Sequence, residues 1–296
     1  MHQLSSYASR LTGYPGSDAA AHWIEGTLRE MGVKEIHRHA FPLLVPMDEG
    51  FSLEIEGQSL PLYGVWPNLI RTSTLPEEGI EGALLYGGDG RLLEGKPVAD
   101  RIVLLEYDAQ DLWVEAFQLG AQAVVFLPVD GAHRVEAGQK FLDVPADLPR
   151  FFAPQATADV LRAGAARASR VRLSGRMPMR EVTGHNLVAI VEGSDPKLRS
   201  EAVYVTAYYD AMSPVPGLAP GAEQASSAAA LLELARQWTQ RRPRRTVVLV
   251  WTAGHFQNLA GMRHLAPVVM AAAGRRSIDA LDDQERALAE IGRAHV

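Results

Sequence analysis

Apolar residues between positions 201 and 265 follow a strand pattern, then a helix pattern, then a second strand pattern. The run Ala202–Ala207 is short and rich in β-branched residues, and it leads into a Pro- and Gly-rich loop. Good helix formers occupy 222–238, with leucines on one side and charged residues on the other. The run Thr246–Trp251 is apolar on both faces. Together these segments predict a βαβ unit in a covered, mainly parallel sheet of the α/β class.

Polar side chains stand where each of these two strands ends. Residues 208–210 follow the first strand and residues 253–258 follow the second. Ligands of open α/β sheets bind outside the carboxyl ends of the strands. We therefore expect a functional site there, with Asp210 and His255 as its candidate catalytic residues, because an imidazole can exchange protons near neutral pH.

The first 45 residues predict a turn, a helix and a strand. Ser17 is the expected N-cap of a helix over 18–31, and Gly32 follows its end. His37 and His39 alternate on the next strand, where we expect a solvated face.

Between Pro46 and Arg180 the pattern changes to short strands separated by Gly and Pro. Within that region it also predicts helices over 111–119 and 155–165 and a buried strand, Ala123–Leu127.

The change of pattern divides the chain into three parts. Residues 1–45 and 181–296 are expected to form one domain, and residues 46–180 an inserted β-rich domain. A strand over Thr183–Val191 returns the chain to the first domain, with His185 in the connection. At 296 residues the chain has enough material for about two domains.

Composition excludes several classes of function. The net charge of −6 gives no electrostatic footprint for nucleic acid, and the Arg241–Arg245 cluster is expected to be a solvated connection. Without cysteine there is no disulfide framework and no thiol nucleophile. No apolar run approaches the ~18 residues of a membrane span, and the N-terminus lacks a signal-peptide pattern. We expect a soluble chain and leave its compartment open.

Short motifs between 207 and 261 have a familiar order. They are Ala207–Asp210, Pro216-Gly217, Gly221-Ala222, Ala228–Arg236, Arg245–Val248 and Leu259–Gly261. In this order they resemble the zinc aminopeptidases of the bacterial leucyl aminopeptidase and glutamate carboxypeptidase type. The resemblance implies a three-layer aminopeptidase sheet, of which this chain would hold a part. Segments 95–105 and 116–126 resemble the non-catalytic protease-associated domain that is commonly inserted in these enzymes.

At the metal positions this chain departs from the family pattern. The resemblance implies a ligand His at Tyr208, a bridging Asp at Gln224, and a general base followed by a ligand at His255 and Phe256. Only Asp210 matches. A zinc pair needs carboxylates and neutral imidazoles, whereas a phenol with a pKa of about 10, a carboxamide and a phenyl ring are poor ligands or none. We therefore expect no metal and no cofactor, with Tyr208, Gln224 and Phe256 lining a pocket.

The residues leave three functions open. The favoured one is a non-catalytic aminopeptidase-fold protein that binds a peptide or protein ligand or acts as a scaffold. The alternative is an active zinc hydrolase with a relocated mononuclear site made of Asp210, Glu223 and His255. A third is a metal-free hydrolase using Ser226 or Ser227 with His255 and Asp210, which no nucleophile-elbow motif supports. We favour the first because several ligand positions differ while the motifs around them match.

The C-terminal end departs from the resemblance as well. After a helix predicted over 259–273, the resemblance implies further strands with an acidic ligand and a final His. Instead, residues 277–289 form a charged, helix-forming segment that contains Asp279, Asp282 and Asp283, and the last seven residues look like a translated sequencing adapter. We expect an incomplete sheet whose exposed apolar edge favours oligomerisation.

Overall fold

The computed structural model describes residues 1–91, 93–131 and 134–275, and the elements below belong to those residues. The strands are β1 Glu35–Pro46, β2 Phe51–Ile55, β3 Gln58–Gly64, β4 Ile80–Gly88, β5 Arg101–Glu106, β6 Ala123–Leu127, β7 Arg150–Phe152, β8 Arg170–Gly175, β9 Met179–Val191, β10 Ala202–Tyr208 and β11 Thr246–Thr252. The helices are α1 His2–Ser5, α2 Pro15–Glu30, α3 Trp113–Gln118, α4 Arg134–Gly138, α5 Gln155–Ala166, α6 Ala225–Gln240 and α7 Ala260–Arg275. The predicted segment 277–289 and its three aspartates lie outside the described residues.

The chain folds into two compact units. One consists of residues 1–45, 181–212 and those from 219 onward, and we call it the sheet unit. The other consists of residues 46–180 and 213–218, and we call it the barrel unit. None of the helices in the described part of the chain is both long and apolar enough to cross a bilayer.

The sheet unit is built on four strands in the order β1-β9-β11-β10. β10 runs parallel to β11, with Ala202 opposite Thr246 and Tyr208 opposite Thr252, whereas β9 runs antiparallel to β11. The sheet is therefore mixed, and the expectation of a mainly parallel sheet is wrong for these strands. The reason is the short connection between β9 and β10, which is too short for a crossover helix and so reverses the chain direction.

Helices cover both faces of this sheet. On one face, α6 packs against β10 and β11, and the indole of Trp251 donates a hydrogen bond to the carbonyl of Ala228 over 3.1 Å. On the other face, Leu265 and Val269 of α7 join an apolar cluster whose members from the sheet are Val188, Ile190, Tyr204, Val248 and Val250. All seven residues of β11 are buried, which confirms the prediction of a strand apolar on both faces.

Helix α2 begins earlier than its sequence pattern predicts. Pro15 occupies the first turn and Tyr14 precedes it as the N-cap, so the prediction of Ser17 as the cap is wrong. Proline is favoured at this position because its fixed φ matches the helix and its missing N–H has no intrahelical partner there. Ser17 is buried inside the helix instead.

The barrel unit is a closed barrel of seven strands in the order β2-β3-β7-β6-β5-β4-β8. Alternate residues of β5 and β6 point to opposite sides. Ile102 and Leu104 join a cluster with α5, and Val103 and Leu105 join a second cluster with α3. Strand β6 has the bounds predicted from its apolar run.

Candidate functional site

The parallel pairing of β10 and β11 brings their carboxyl ends to one edge of the sheet. Asp210, two residues after β10, is fully buried there. Its Oδ2 accepts hydrogen bonds from the Thr12 hydroxyl and from the backbone N–H of His255, each over 3.0 Å. The Thr12 oxygen in turn accepts from the N–H of Gly254 over 2.9 Å. One carboxylate and one hydroxyl therefore tie the N-terminal turn to both strand ends.

The second oxygen of Asp210 is buried and has no hydrogen-bond partner in the described residues. Burial raises the pKa of Asp210 to about 7, although the hydrogen bonds from Thr12 and His255 and the charge of Arg10 favour the ionised form. Near neutral pH the protonated and ionised forms of this carboxyl group are therefore comparably populated.

A buried arginine supports this edge from the N-terminal turn. The guanidinium of Arg10 donates to four backbone carbonyls, those of Leu4, Tyr209, Pro220 and Gly221. Burial lowers the pKa of Arg10, and the attraction of Asp210 opposes that effect. Arg10 thus links the end of β10 to the loop that leads into α6.

Three rings meet at the strand ends, and we call them the aromatic cluster: Tyr208, His255 and Phe256. The imidazole of His255 stacks on the Tyr208 ring with centroids 3.9 Å apart and an 18° angle between the planes. Phe256 meets both rings edge-on, at 5.6 Å and 4.9 Å. Burial lowers the pKa of His255, so its imidazole is neutral at physiological pH. All three residues keep part of their surface exposed.

Gln224 and Glu223 stand at the start of α6. The Gln224 amide donates to the carbonyl of Met212 over 3.2 Å, so it holds the loop after β10. Glu223 is exposed. Within the described residues, no three His, Asp or Glu side chains are grouped so as to hold a metal ion, and this includes Asp210, Glu223 and His255.

A second buried polar network braces the loop after β11. Asn186, on β9, donates to the carbonyl of Gly261 over 2.9 Å and accepts from the N–H of Ala253 over 3.1 Å. Its amide nitrogen also lies 3.1 Å from Nδ1 of His39. Burial, and then the charge of His264, lower the pKa of His39.

The histidine positions correct two expectations. His39 is only 8% exposed, so the expectation of a solvated face is wrong at that residue, because Asn186 contacts its ring and Phe41 stacks beside it. His37 keeps more exposure and pairs with Glu35. His185 lies within β9 rather than in a connection, and its carbonyl accepts a hydrogen bond from the Tyr209 hydroxyl over 2.9 Å.

Sequence reasoning missed the residues that hold the site together. Arg10 and Thr12 stand in a turn-rich segment without periodicity, and Asn186 stands in an apolar strand. Their roles depend on partners far along the chain. The available signal was a polar residue inside an apolar or turn pattern, which indicates a buried polar group but not its partner.

Part of the sequence is similar to known peptidases. Residues 186–280 match the model of peptidase family M28. A probable zinc metalloprotease from Leptosphaeria maculans is 42% identical over 87 residues, which are 27% of this chain and 20% of that protein. Both matches support a relationship to zinc peptidases.

Solved structures agree on the fold. A zinc aminopeptidase from Bacillus subtilis superposes with a TM-score of 0.57 at 17% identity, over 86% of this chain and 60% of that one. A peptidase M28 precursor from Shewanella amazonensis gives 0.56 at 19% identity, over 91% of this chain and 66% of that one. The chain therefore has an aminopeptidase-like α/β fold and spans about three fifths to two thirds of these structures.

The residues at the strand ends do not fit the pair of zinc ions that the resemblance implies. Tyr208 and Phe256 present packed rings, and the Gln224 amide is bonded to the backbone. One oxygen of the remaining carboxylate, Asp210, is engaged by Thr12 and by backbone, and the group is only partly ionised near pH 7. Zinc sites need several deprotonated donors that converge on one point.

Proposed function

We propose that this chain is a non-catalytic relative of the zinc aminopeptidases, and that it binds a peptide or protein ligand at the carboxyl ends of β10 and β11. The observation that carries this proposal is the aromatic cluster. Tyr208, His255 and Phe256 stand where the resemblance implies a metal ligand, a general base and a second ligand, and they pack against one another instead.

Electrostatics support the same proposal. The positive charge that acts on Asp210 is the buried guanidinium of Arg10, a cation that the fold supplies itself. A divalent cation beside Asp210 would be repelled by this guanidinium, because like charges in a poorly solvated place repel strongly. Asp210 is therefore better suited to a structural role than to metal binding.

The ligand class follows from the exposed chemistry of the aromatic cluster. Two aromatic rings and a neutral imidazole favour an apolar or aromatic side chain, with the ring edges and the imidazole available for polar contacts. We propose further that the barrel unit corresponds to the protease-associated domain. Its support is the β-rich barrel of residues 46–180 together with the motifs in 95–105 and 116–126.

The alternative is a mononuclear zinc hydrolase that uses Asp210, Glu223 and His255. It would require Asp210, Glu223 and His255 to come together, since in the described residues these side chains are not grouped so as to hold a metal ion, and it would require the imidazole of His255 to leave Tyr208. No contact in the described residues favours that rearrangement over the present one.

Metal content and turnover distinguish the two functions. The full chain is purified in zinc-containing buffer, zinc is measured by elemental analysis, and aminoacyl-anilide hydrolysis is followed with and without a chelator. We expect substoichiometric zinc and no chelator-sensitive turnover. About one zinc per chain together with chelator-sensitive turnover would contradict the proposal.

Ligand binding needs its own assay. A library of short peptides is screened by fluorescence anisotropy, and the best binder is titrated against Phe256→Ala. We expect the dissociation constant to rise by about tenfold, because an aromatic contact is lost. Tyr86→Ala, which removes an exposed ring on the barrel unit, is the matched control and should leave the constant unchanged. Equal effects of the two substitutions would argue against the aromatic cluster as the binding site.

A further inference from the structure

The amide of Asn186 joins the two ends of the loop after β11, residues 253–261. Its Oδ1 accepts from the N–H of Ala253 over 3.1 Å, and its Nδ2 donates to the carbonyl of Gly261 over 2.9 Å. The N–H of Gly261 also donates to the carbonyl of Ala253 over 3.2 Å. Two of the three rings of the aromatic cluster belong to this loop. Asn186, which is fully buried, therefore holds the segment that presents them.

The two bonds from Asn186 to the loop fix which way its amide points. Turning the amide over would set Nδ2 against the N–H of Ala253 and Oδ1 against the carbonyl of Gly261, so that donor meets donor and acceptor meets acceptor. Nδ2 therefore faces Nδ1 of His39, 3.1 Å away. Because Nδ2 can only donate, Nδ1 must accept, and the His39 ring is neutral with its proton on Nε2.

The surroundings of His39 also favour the neutral ring. Burial lowers the pKa of His39, and the charge of His264 on α7 lowers it further. His264 is the titratable neighbour of the ring among the described residues, since Phe41 on β1 and Asn186 on β9 are uncharged. His264 itself stacks on Phe41, with centroids 5.4 Å apart.

We propose that His39 is an acid-sensitive switch that releases the loop after β11. A proton on Nδ1 turns this atom from an acceptor into a donor, so it can no longer receive the N–H of Asn186. The amide can meet the new donor only by turning its Oδ1 towards His39, which breaks its bonds to Ala253 and Gly261. Keeping those bonds instead leaves two donors opposed and a buried charge unpaired. Both outcomes weaken the hold on the loop.

The switch regulates the aromatic cluster, and this step rests on the proposed function. The loop after β11 carries His255 and Phe256 and places them against Tyr208. A loosened loop has to be ordered again when a peptide binds, and this ordering lowers the affinity. Acid should therefore weaken binding at the cluster.

The sign of the pH effect follows from the two states of the loop. When the loop opens and His39 is hydrated, its pKa returns to about 6.5, above its value in the closed state. The open state then binds the proton more tightly, so the stability of the closed loop is complete above about pH 6.5 and is lost as pH falls below it. Asp210 holds the same loop at the N–H of His255, but its raised pKa gives the opposite sign, because acid favours its folded state.

Amide hydrogen exchange of the full chain tests the switch. We expect the protection factors of residues 253–261 to fall by about tenfold from about pH 7.5 to about pH 5. His39→Asn places an oxygen near the position of Nδ1, so it can accept from Asn186 but cannot take up a proton in this range. Its protection over 253–261 should change by less than about twofold. His37→Asn, on the same strand, is the matched control and should keep the tenfold fall.

Nitrogen-15 NMR of the histidine rings tests the switch without a substitution in the measured protein. We expect the His39 ring to carry its proton on Nε2 at about pH 7.5, and Nδ1 to become protonated only below about pH 6.5. The signal that is missing from His39→Asn assigns the ring. A His39 ring with its proton on Nδ1 at about pH 7.5 would overturn the proposal.

Fluorescence anisotropy measures the effect on the aromatic cluster, with the best-binding peptide of the screen as the probe. We expect its dissociation constant to rise by about fivefold or more from about pH 7.5 to about pH 5 in the parent and in His37→Asn, but not in His39→Asn. This comparison separates His39 from His255, which titrates within the cluster itself. An equal rise in His39→Asn would overturn the regulatory step.

Failure of the switch and failure of the proposed function give different results. Constant protection over 253–261 between the two pH values in the parent would overturn the switch, and so would an equal fall in His39→Asn. If no peptide binds at any pH, the proposed function is wrong, while exchange and NMR still decide whether His39 releases the loop.

Discussion

The backbone N–H of His255 donates to Oδ2 of Asp210 over 3.0 Å, so these two residues are joined through main chain rather than through the imidazole. The imidazole stacks on Tyr208 instead. A carboxylate that orients a catalytic or metal-binding imidazole must contact the ring. Here the Asp210 carboxylate fixes the path of the loop after β11, and the ring of His255 forms part of an apolar surface.

Asp210 should make stability depend on pH in an unusual direction for a carboxylate. Its pKa is raised to about 7 in the folded chain, above the value of about 3.9 in an unfolded one. The folded state therefore binds the proton more tightly, and this contribution to stability is present below about pH 4 and lost as pH rises through about 7. Asp210→Asn cannot ionise, so its unfolding free energy should exceed that of the parent at pH 8 and approach it at pH 4. The difference is on the order of 1 kcal/mol per unit of pKa shift.

Urea unfolding at several pH values measures this effect. Asp89→Asn, at an exposed carboxylate, is the control and should follow the parent protein. An Asp210→Asn variant with the same pH dependence as the parent would show that burial does not hold the proton on Asp210.

Arg10→Lys should destabilise the sheet unit strongly. A lysine ammonium cannot reach all four carbonyls that the guanidinium satisfies, so buried acceptors lose their partners. We expect the unfolding free energy to fall by about 3 kcal/mol. Arg29→Lys, at an exposed arginine in an i,i+4 pair with Glu25, should change it by less than about 0.5 kcal/mol. Similar losses in both variants would contradict the role assigned to Arg10.

Gly261→Ala should disturb the loop after β11. A Cβ there would overlap the carbonyl oxygen of Ala253 and Oδ1 of Asn186, which are part of the buried network. We expect a loss of about 2 kcal/mol of unfolding free energy and faster amide exchange over 253–261. Gly26→Ala, in the middle of α2 with nothing near the new Cβ, should instead stabilise the chain by about 0.5–1 kcal/mol. If the two variants change the unfolding free energy in opposite directions, the loss at Gly261 comes from local packing. Similar changes in both would instead indicate a general effect of replacing glycine by alanine.

Replacing three side chains at the strand ends should create zinc affinity. The variant Tyr208→His, Gln224→Asp, Phe256→Glu adds an imidazole and two carboxylates, and we expect its zinc affinity to rise by about tenfold or more over the parent. Aminoacyl-anilide turnover should stay absent, because the resemblance implies a further acidic ligand and a final His that these three substitutions do not supply. The isosteric variant Tyr208→Phe, Gln224→Asn, Phe256→Leu is the control for calorimetric titration with zinc. Restored turnover in the first variant would show that the catalytic apparatus is otherwise complete.

Lys140 should give the barrel unit a separate pH dependence. It is fully buried, its ammonium donates to the carbonyl of Gln110 over 2.7 Å, and burial lowers its pKa to about 8. Unfolding restores the usual value of about 10.4, so the unfolded state binds the proton more tightly and stability rises between about pH 8 and 10. Lys140→Met should remove this rise in thermal unfolding scans, and Lys34→Met, at an exposed position, should keep it.

The elements that could be predicted are those with strong local patterns. Continuous apolar runs identified β6 and β11, and helix-forming composition identified α5 and α6 to within three residues at each end. Short-range patterns suffice for these because periodicity and turn residues act within one element. Strand direction did not follow from them, since β9 runs antiparallel to β11 and that depends on how the connections fold back.

The sequence by itself determined the elements with strong local patterns, such as β6, β11, α5 and α6, and it identified the strand ends as the place where polar side chains gather. Only the tertiary structure decided how those side chains are used: that His39 is buried against Asn186, that Arg10 reaches Tyr209, and that Asp210 holds backbone rather than a ring. The physical reason is the separation along the chain between the residues that interact. A residue's pattern within one element depends on its neighbours in the chain. The burial, ionisation and hydrogen bonds of a polar group depend instead on segments that pack against it, and these can lie about two hundred residues away or more.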